Sequence, residues 1–504
     1  MRHDRLLVHL AIALVLGLVA PASAMPDGPP SFEVTYTAAV HPGPISARVY
    51  VMLGPLVARA EPRKGPDWFH PSPIFAVDAK DWRPGEPLKI DATASGFPVK
   101  LDAIKPGDYR AQAVIRLNRD GHALDAEGNG YSPTVKVSLA PDAGGTTRLI
   151  VDKLDGPAPF KTTDRMKLVT LPSPLLSAFH KRPILHRAAV ILPEGNQSIR
   201  RPTLYIVPGF GGDHTMARDL MRLPQLAYAA DLIRVVLDPD CGTGHHVFAD
   251  SATNGPRGEA LIKEFIPHLE KTFNAIPEPG ARLLNGHSSG GWSTLWLQVT
   301  YPDVFGGTWS TSPDPVDFRD VQRLDLYEKD INFYRQANGS ARPVARIGTA
   351  ATLFVEPFWR VEEVLGDGGQ LASFEAVFSP LDRDGRPRKL WDRATGAIDP
   401  ETVEAWKKYD IRLVLEHNWP TLGPKLKGKL HIVIGDLDTF YLEGSTILLK
   451  TALEKLGSDA EITIVPGKDH RSVLTTDLAR QLDREMHAAV APSLREPAKT
   501  RAAR

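Results

Sequence analysis

The feature that constrains this chain most is an apolar segment that runs into a serine flanked by glycines. Residues 282–284 read as a strand, and Gly286-His287-Ser288-Ser289-Gly290 follows almost at once. A helical stretch then covers residues 290–299. A strand, a sharp turn and a helix in this order present a serine hydroxyl at the edge of a mostly parallel sheet. The segment therefore predicts an α/β unit with Ser288 as a nucleophile.

A serine hydroxyl is a poor nucleophile near neutral pH, so Ser288 needs a histidine base and a carboxylate that orients this base. On such a sheet the acid and then the histidine follow the serine along the chain. A predicted strand over residues 462–465 runs into Pro466-Gly467-Lys468-Asp469-His470. Ligands bind at the carboxyl ends of parallel strands. We therefore predict His470 as the base; the alternative is a histidine in a surface loop.

Three acids are candidates for the carboxylate. The predicted strand over residues 430–434 is followed by Asp436 and Asp438, and Glu443 comes slightly later. Asp438 is the first choice and Asp436 the second, and the one that is not used is expected to serve as a turn or cap aspartate. Glu443 ranks third, because an acid at that position also suits the first turn of a helix.

The negative charge that develops on an attacked carbonyl oxygen needs N–H donors, an oxyanion hole. One donor is expected to be the backbone of Ser289, directly after the nucleophile. The second is expected from the glycine-rich loop over residues 208–212, which follows a predicted strand over residues 204–207. Phe210 is the first choice there and Gly211 the second; the alternative is an ordinary glycine turn.

The length of 504 residues exceeds what one ordinary hydrophobic core supports, so two or three domains are expected. Short strands separated by turn clusters predict an all-β, sandwich-like domain first. Strands that alternate with helices then predict an α/β domain with a mostly parallel sheet. The predicted boundaries are 25–150 for the β domain, 151–172 for a linker, 173–490 for the α/β domain with an insertion over about 312–425, and 491–504 for a disordered tail.

Residues 1–24 have the pattern of a secretory signal. Arg2 and Arg5 form a basic start, an apolar run follows, and Ala22-Ser23-Ala24 fits a cleavage site, so the mature chain is expected to begin at Met25. A single membrane anchor is the alternative, but the apolar run is short for a bilayer span. The expected location is the periplasm or the medium, with no stable membrane insertion.

Charge and cysteine content narrow the possible partners. Lys plus Arg equals Asp plus Glu, which gives no reason to expect a nucleic acid. Cys241 is the only cysteine, so an intramolecular disulfide is impossible. A cluster at Asp238, Asp240, Cys241, His245 and His246 has no common zinc spacing, so we expect a loop near the site rather than a metal centre. No metal or cofactor is expected.

At this point the chain resembles the putative-esterase (esterase D-like) family, which has the α/β-hydrolase fold. The matching segments are spread over residues 175–485, namely 208–212, 250–256, 286–291, 435–440 and 467–470. The resemblance implies Ser288 as nucleophile, His470 as base and Asp438, rather than Asp436, as acid. It also implies cleavage of a carboxylic ester, whether a small molecule or one linked to a polysaccharide. The β domain ahead of the sheet is similar to the arrangement in enterochelin esterases.

Three further residues are expected close to the substrate. The resemblance places the loop of Asn254 near the active site in a supporting role, and His287 lies beside the nucleophile. His214 follows the glycine loop; the alternative for it is an exposed loop histidine. The sequence departs from the family at Pro208, where a histidine is usual, and in the long insertion. The aromatic residues of the insertion either form a substrate platform or, for the majority, fill a small lid core.

Two other functions remain open. An acyltransferase would use the same three residues with a sugar or alcohol as acceptor. A binding protein that retains the fold without catalysis is the alternative from another class, although the presence of Ser288, Asp438 and His470 together argues against it. The β domain is expected either to bind carbohydrate or to narrow the mouth of the active site.

Overall fold

The computed structural model describes residues 28–495, apart from positions 66, 143, 158, 224, 225 and 227. The predicted secretory signal and residues 496–504 of the predicted tail therefore lie outside the described residues. Within the described part, no helix combines the length and apolar character that crossing a bilayer requires.

The first part of the chain consists of two β-sheets that enclose one hydrophobic core. Its strands are β1 Pro30–Tyr36, β2 Ile45–Pro55, β3 Ile74–Trp82, β4 Leu88–Ile90, β5 Ser95–Phe97, β6 Gly107–Ile115, β7 Gly130–Tyr131, β8 Val135–Leu139, β9 Gly145–Val151 and β10 Lys153–Leu154. One sheet has the order β4-β1-β9, and the other has the order β10-β7-β6-β2-β3-β5 with β8 beside β6. Apolar residues of both sheets meet in the core, as a sandwich requires.

The second part is built on an eight-stranded sheet with the order β11-β12-β14-β13-β19-β20-β23-β24. These strands are β11 Met166–Pro172, β12 Leu185–Ile191, β13 Thr203–Val207, β14 Ile233–Leu237, β19 Arg282–His287, β20 Gly307–Thr311, β23 Leu430–Gly435 and β24 Glu461–Val465. The strands from β14 to β24 in this order are parallel to one another. Strand β12 is antiparallel to both of its neighbours, β11 and β14. The predicted fold class, a mostly parallel α/β sheet after a β-rich region, agrees with this strand order and pairing.

Helices cover both faces of this sheet, and short hairpins line its carboxyl edge. The helices are α1 Pro174–His180, α2 Ala217–Leu220, α3 Arg257–Ala260, α4 Ile266–Thr272, α5 Ser289–Thr300, α6 Val355–Leu365, α7 Gln370–Phe378, α8 Pro400–Trp406, α9 Ile411–Leu426, α10 Glu443–Lys455 and α11 Thr476–Arg495. The hairpins pair β15 Asp240–Cys241 with β16 Gly244–His245, β17 Asp250–Ser251 with β18 Gly255–Pro256, and β21 Pro343–Ile347 with β22 Ala350–Phe354.

Two boundaries differ from the prediction. Strand β11 lies in the stretch predicted as a linker, where it pairs with β12 along its whole length and so belongs to the main sheet. Helix α11 extends to Arg495, five residues into the stretch predicted as a tail. The buried side chains of Leu482, Met486 and Val490 hold this helix against the sheet. Its apolar stripe therefore continues the fold closer to the end of the chain than composition indicated.

The predicted insertion lies between β20 and β23 and contains the hairpin β21–β22 and helices α6 to α9. Its aromatic residues mostly fill a core that it shares with helix α5. Buried members are Phe333, Phe358, Trp359, Trp391 and Trp406. The expectation that most of these rings form a lid core agrees with this packing. Phe358, however, also lines a cavity described below.

The β-domain is attached to the insertion through strand β2, which is buried on both faces. Val51 points into the core between the two sheets, whereas Tyr50 and Met52 pack against helix α6. The Tyr50 hydroxyl donates to the carbonyl of Leu365 at 2.5 Å. The Nε of Arg48 donates to the carbonyl of Val364 at 2.9 Å. These contacts fix the β-domain beside the carboxyl edge of the main sheet.

Gly290 allows helix α5 to approach strand β13 closely. A Cβ atom at this position would lie 1.9 Å from the carbonyl oxygen of Val207 and 2.7 Å from that of Pro208. Both are backbone atoms, so no side-chain rotation relieves the overlap. We expect Gly290→Ala to lower the free energy of unfolding by about 3 kcal/mol. Urea denaturation followed by tryptophan fluorescence measures this.

The matched control is Gly43→Ala, where the nearest atom to an added Cβ is Cε1 of His41 at 3.9 Å. This change should alter the free energy of unfolding by less than about 0.5 kcal/mol. If the two variants unfold at the same urea concentration, the close approach of α5 to β13 is not a requirement of the fold.

Candidate active site

Ser288 occupies the turn between β19 and α5. Its backbone has φ 59° and ψ −127°, a conformation that residues other than glycine rarely adopt. Its amide donates to the carbonyl of Thr311 at 3.0 Å, which ties the turn to the end of β20. A Cβ at Gly286 would lie 2.1 Å from the carbonyl oxygen of Gly290. The two glycines thus leave room for a turn that holds Ser288 above the carboxyl edge of the sheet.

The glycine loop after β13 lies directly against this turn. A Cβ at Gly209 would lie 3.2 Å from the Cβ of Ser288. Nε2 of His245 donates to the carbonyl of Pro208 at 2.8 Å, and Nδ1 of this ring accepts from the amide of Val247. Burial lowers the pKa of His245 to about 4, so the ring is neutral and keeps one tautomer. The loop is therefore held in place beside Ser288.

Asp438 and His470 form a close pair at the ends of β23 and β24. Oδ2 of Asp438 lies 2.7 Å from Nδ1 of His470, and the Asp438 side chain is 0% exposed. The other carboxylate oxygen accepts from the amide of Phe440 at 2.9 Å. Since Nδ1 is engaged by the carboxylate, Nε2 is the imidazole nitrogen left for other chemistry.

The other two candidate acids have different partners. Oδ1 of Asp436 accepts from the amide of Gly467 at 2.7 Å and so closes a turn next to β24. Glu443 pairs with Arg346 at 2.6 Å at the start of helix α10. The expected turn and helix-start positions for these two acids agree with this geometry, and Asp438 is the candidate that meets His470.

Two rings flank the imidazole of His470. The ring of Phe440 lies edge-on, with centroids 5.0 Å apart, and the ring of His287 lies 4.5 Å away. Burial, and then the nearby charge of His470, hold the pKa of His287 well below its usual range. His287 is therefore a neutral ring behind His470, and its Nδ1 lies 3.1 Å from the hydroxyl of Thr311.

The hydroxyl of Ser288 points toward a residue that the sequence did not indicate. Its Oγ lies 3.5 Å from Oδ1 of Asp314, and among the described residues it makes no hydrogen bond to His470. Asp314 follows strand β20, and Gln370 of helix α7 approaches the same carboxylate. The rule that selected Asp438, a polar residue after a parallel strand, would also have selected Asp314 had it been applied to β20.

Ser288 and His470 share one cavity of about 780 Å³. Its wall combines three parts of the chain: Trp68 from the β-domain, Phe210 and Phe440 from the loops of the sheet, and Phe358 and Phe374 from the insertion. The Trp68 ring packs against those of Phe210, Phe358 and Phe440, with centroids 5.2 to 6.0 Å apart. The β-domain and the insertion thus both shape the entrance to Ser288.

None of the three predicted substrate-proximal residues forms part of the wall of this cavity, and of the three His287 lies nearest, behind the ring of His470. The buried side chain of Asn254 accepts from the hydroxyl of Thr243 at 2.7 Å. His214 pairs with Asp238 at 2.9 Å and faces a separate cavity of about 1040 Å³ between the β-domain and the sheet. Gly211 borders that second cavity too, whereas Phe210 lines the cavity of Ser288. His214 therefore lies at a different cavity from Ser288, although it follows the glycine loop in sequence.

The His and Asp cluster after β14 does not converge on one point. Asp238 pairs with His214, and Asp240 pairs with His122 of the β-domain. Cys241 is buried, and its Sγ lies 3.2 Å from the carbonyl of Gly244. Each of these contacts joins two segments of loop, as expected for a loop near the site.

A family model described as "Putative esterase" matches residues 186–477, more than half of the chain. The chain belongs to this family. This esterase is a carboxylic ester hydrolase, as the resemblance implied. No curated protein matches the esterase significantly.

Solved structures similar to this esterase include other esterases and hydrolases. A ferulic acid esterase is 16% identical, with 65% of this chain and 99% of that chain covered and a TM-score of 0.36. An S-formylglutathione hydrolase from Agrobacterium tumefaciens is 15% identical, with 65% and 97% covered and a TM-score of 0.37. A ferulic acid esterase from Anaeromyces mucronatus is 12% identical, with 64% and 92% covered and a TM-score of 0.31.

Proposed function

We propose that this esterase is a serine hydrolase that cleaves its ester through an acyl-enzyme on Ser288. The observation that carries the proposal is the pair of Asp438 and His470, 2.7 Å apart, on the cavity that also holds Ser288. The base and the nucleophile come from the ends of β24 and β19, strands of one sheet. A serine next to a carboxylate-oriented imidazole is the arrangement that acyl transfer requires.

The reaction proceeds in two steps. His470 takes the proton from Ser288 through Nε2 while Oγ attacks the ester carbonyl, and Asp438 stabilises the imidazolium through Nδ1. His470 then donates this proton to the departing alcohol, which leaves the acyl group on Ser288. Water, deprotonated by His470, attacks the acyl group and breaks its bond to Oγ of Ser288. The acid leaves, and His470 returns the proton to Oγ.

The backbone amides of Ser289 and Phe210 are the proposed donors to the carbonyl oxygen. Ser289 begins helix α5, whose N-terminal end favours negative charge. Phe210 belongs to the loop that His245 holds against Ser288, with Gly211 as the second choice. Because this loop is positioned before substrate arrives, its donors need little reorganisation during the reaction.

The hydroxyl of Ser288 turns from Asp314 toward His470 when substrate binds. Catalytic hydrogen bonds are often long or absent in the free enzyme and form in the complex with substrate. A serine hydroxyl needs only rotation about its side-chain bond to exchange one partner for another. The resting contact with Asp314 at 3.5 Å is long, so little stabilisation is lost.

A fluorophosphonate probe tests the proposal on the full chain. The probe should modify Ser288 covalently, and peptide mass spectrometry should locate the label there. His470→Ala should label far more slowly, because the nucleophile loses its base. An unlabelled wild-type protein, or a label on another serine, would contradict the assignment of Ser288.

We also propose that the esterase is exported to the periplasm or the medium. The basic start, the apolar run and Ala22-Ser23-Ala24 support this. Sequencing the N-terminus of the protein recovered from the medium or periplasm should give Met25 as the first residue. Recovery of the full-length chain from the cytoplasm alone would contradict export.

A further inference from the structure

The carboxylate of Asp314 lies beside the nucleophile and has no part in the mechanism above. The residue is 6% exposed and borders the cavity of Ser288. Its Oδ1 lies 3.5 Å from the Oγ of Ser288, and its Oδ2 accepts from the hydroxyl of Ser289. Nε2 of Gln370, from the insertion, lies 3.4 Å from the same oxygen. Neutral groups thus hold the carboxylate toward the reacting ester.

Several other buried acids of this esterase are paired with cations, whereas Glu362, also buried, accepts from the backbone amides of Leu371 and Ala372. Examples of the pairs are Glu270 with Arg282, Asp317 with Arg319, and Glu375 with Arg393, each at 2.5 Å. For Asp314, no Lys, Arg or His nitrogen of the described chain lies within the 4.0 Å of an ion pair. Arg346, which borders the same cavity, is itself paired with Glu443. A buried carboxylate without a cation is costly unless hydrogen-bond donors or a ligand compensate its charge, and Asp314, unlike Glu362, borders the cavity in which a ligand would bind.

Most Asp314 side chains are ionised at neutral pH. Burial raises the pKa of Asp314 to about 6. The hydrogen bond from Ser289 and the nearby charge of His470 oppose this rise in the pKa, and the charge of Asp438 adds to it. Below pH 6 the carboxyl is therefore mostly neutral, and above it the site carries a negative charge. At pH 7 and above, the cavity presents a fixed anion next to Ser288.

The position of Asp314 indicates which part of the substrate it faces. The departing alcohol must lie next to His470, which protonates it, whereas Asp314 is held by Ser289 and Gln370. The attacking Oγ approaches the carbonyl carbon to about 3 Å, and an ammonium–carboxylate hydrogen bond spans about 2.8 Å. Since Asp314 is itself 3.5 Å from Oγ, its partner belongs to the acyl group, close to the carbonyl.

We propose that Asp314 selects esters whose acyl group carries a protonated amine on the carbon next to the carbonyl, that is, α-aminoacyl esters. This inference rests on the proposed function and names the acyl class for the same site. A small pocket of about 10 Å³ beside Asp314, bordered by Trp292, Phe318 and Phe378, is apolar. It has room for little more than a methyl group, so alanine is a suitable acyl group for the test.

The experiment compares three ethyl esters at pH 7.0, where an α-amine is mostly protonated. They are the esters of L-alanine, of L-lactic acid and of isobutyric acid, which place NH₃⁺, OH and CH₃ on the same carbon. The readout is kcat/KM for each ester, by acid release, in the wild type and in Asp314→Asn. The ratio of the alanine to the isobutyrate ester should fall at least about tenfold in the variant.

The comparison of ratios removes two confounding effects. The chemical reactivity of each ester is the same for both proteins, and the fraction of active enzyme cancels within one protein. Asp67→Asn is the matched control, because Asp67 borders the cavity at its exposed rim and loses the same charge. Its alanine-to-isobutyrate ratio should stay within about twofold of the wild type, since exposed charges are screened.

Several outcomes would overturn the inference. An unchanged ratio in Asp314→Asn would do so, as would an equal fall for the alanine and lactate esters, which would mean that charge is not recognised. If the alanine-to-isobutyrate ratio fell equally in Asp67→Asn, the effect would come from the overall negative charge of the cavity and not from Asp314. If isobutyrate ester is cleaved through Ser288 while the ratio is unchanged, only this inference fails. If no ester is cleaved and no probe labels Ser288, the proposed function fails and this inference with it.

Discussion

Replacing Ser288 by alanine is expected to lower kcat for a short-chain 4-nitrophenyl ester by roughly 10⁵-fold or more. The variant loses the only atom that forms the acyl-enzyme, while the neighbouring amides and His470 remain. The strained backbone at residue 288 accepts alanine no worse than serine, because both side chains begin with the same Cβ. Steady-state kinetics measures the loss, and circular dichroism checks that the fold is intact.

Ser293→Ala is the matched control for this change. Ser293 lies one turn further along helix α5, is buried, and donates through Oγ to the carbonyl of Ser289 at 2.6 Å. It undergoes the same chemical change without loss of the nucleophile, so kcat should fall by less than about tenfold. Should the Ser288→Ala enzyme retain near wild-type turnover, another group attacks the ester and the proposed mechanism is wrong.

Asp438→Asn is expected to lower kcat by roughly 10⁴-fold with little change in the fold. An amide N–H at this position can donate to Nδ1 of His470, which leaves the proton on Nε2. His470 in that tautomer cannot take the proton of Ser288. The fall in kcat should exceed the change in KM, because the ester still binds in the same cavity.

The neighbouring acid provides a control with the identical chemical change. Asp436 accepts from the amide of Gly467, and an asparagine oxygen can accept the same hydrogen bond. Asp436→Asn should therefore keep kcat within about threefold of the wild type. The reverse pattern, with Asp436→Asn inactive and Asp438→Asn active, would transfer the acid assignment to Asp436.

The sequence alone determined the features that depend on short-range geometry. A strand, a turn with small residues and a helix can be read directly from Gly286 to Gly290. Gly286 is required by a contact within that segment, whereas Gly290 is required by the close approach to strand β13. The parallel sheet was also predictable, since alternation of strands and helices is a local pattern. The carboxyl ends of its strands then indicated His470 and the acids of β23 as candidates.

The choice between Asp436 and Asp438 is one that the residue pattern alone could not make. The two acids lie two positions apart in one turn, and both suit a loop after a strand. Family resemblance favoured Asp438, but the residues themselves left both open. In the folded chain, one carboxylate turns to Gly467 and the other to His470. Their catalytic roles stay predictions for the two substitutions above.

Only the tertiary structure decided which distant segments meet at Ser288. Trp68 of the β-domain and Gln370 of the insertion reach this site from segments far away along the chain. Asp314 became a candidate when its carboxylate proved to lie beside the serine without a cation. Conversely, His214 is close to the glycine loop in sequence but faces another cavity. Local patterns specify elements and their edges, whereas the direction and the partners of each side chain depend on how those elements pack together.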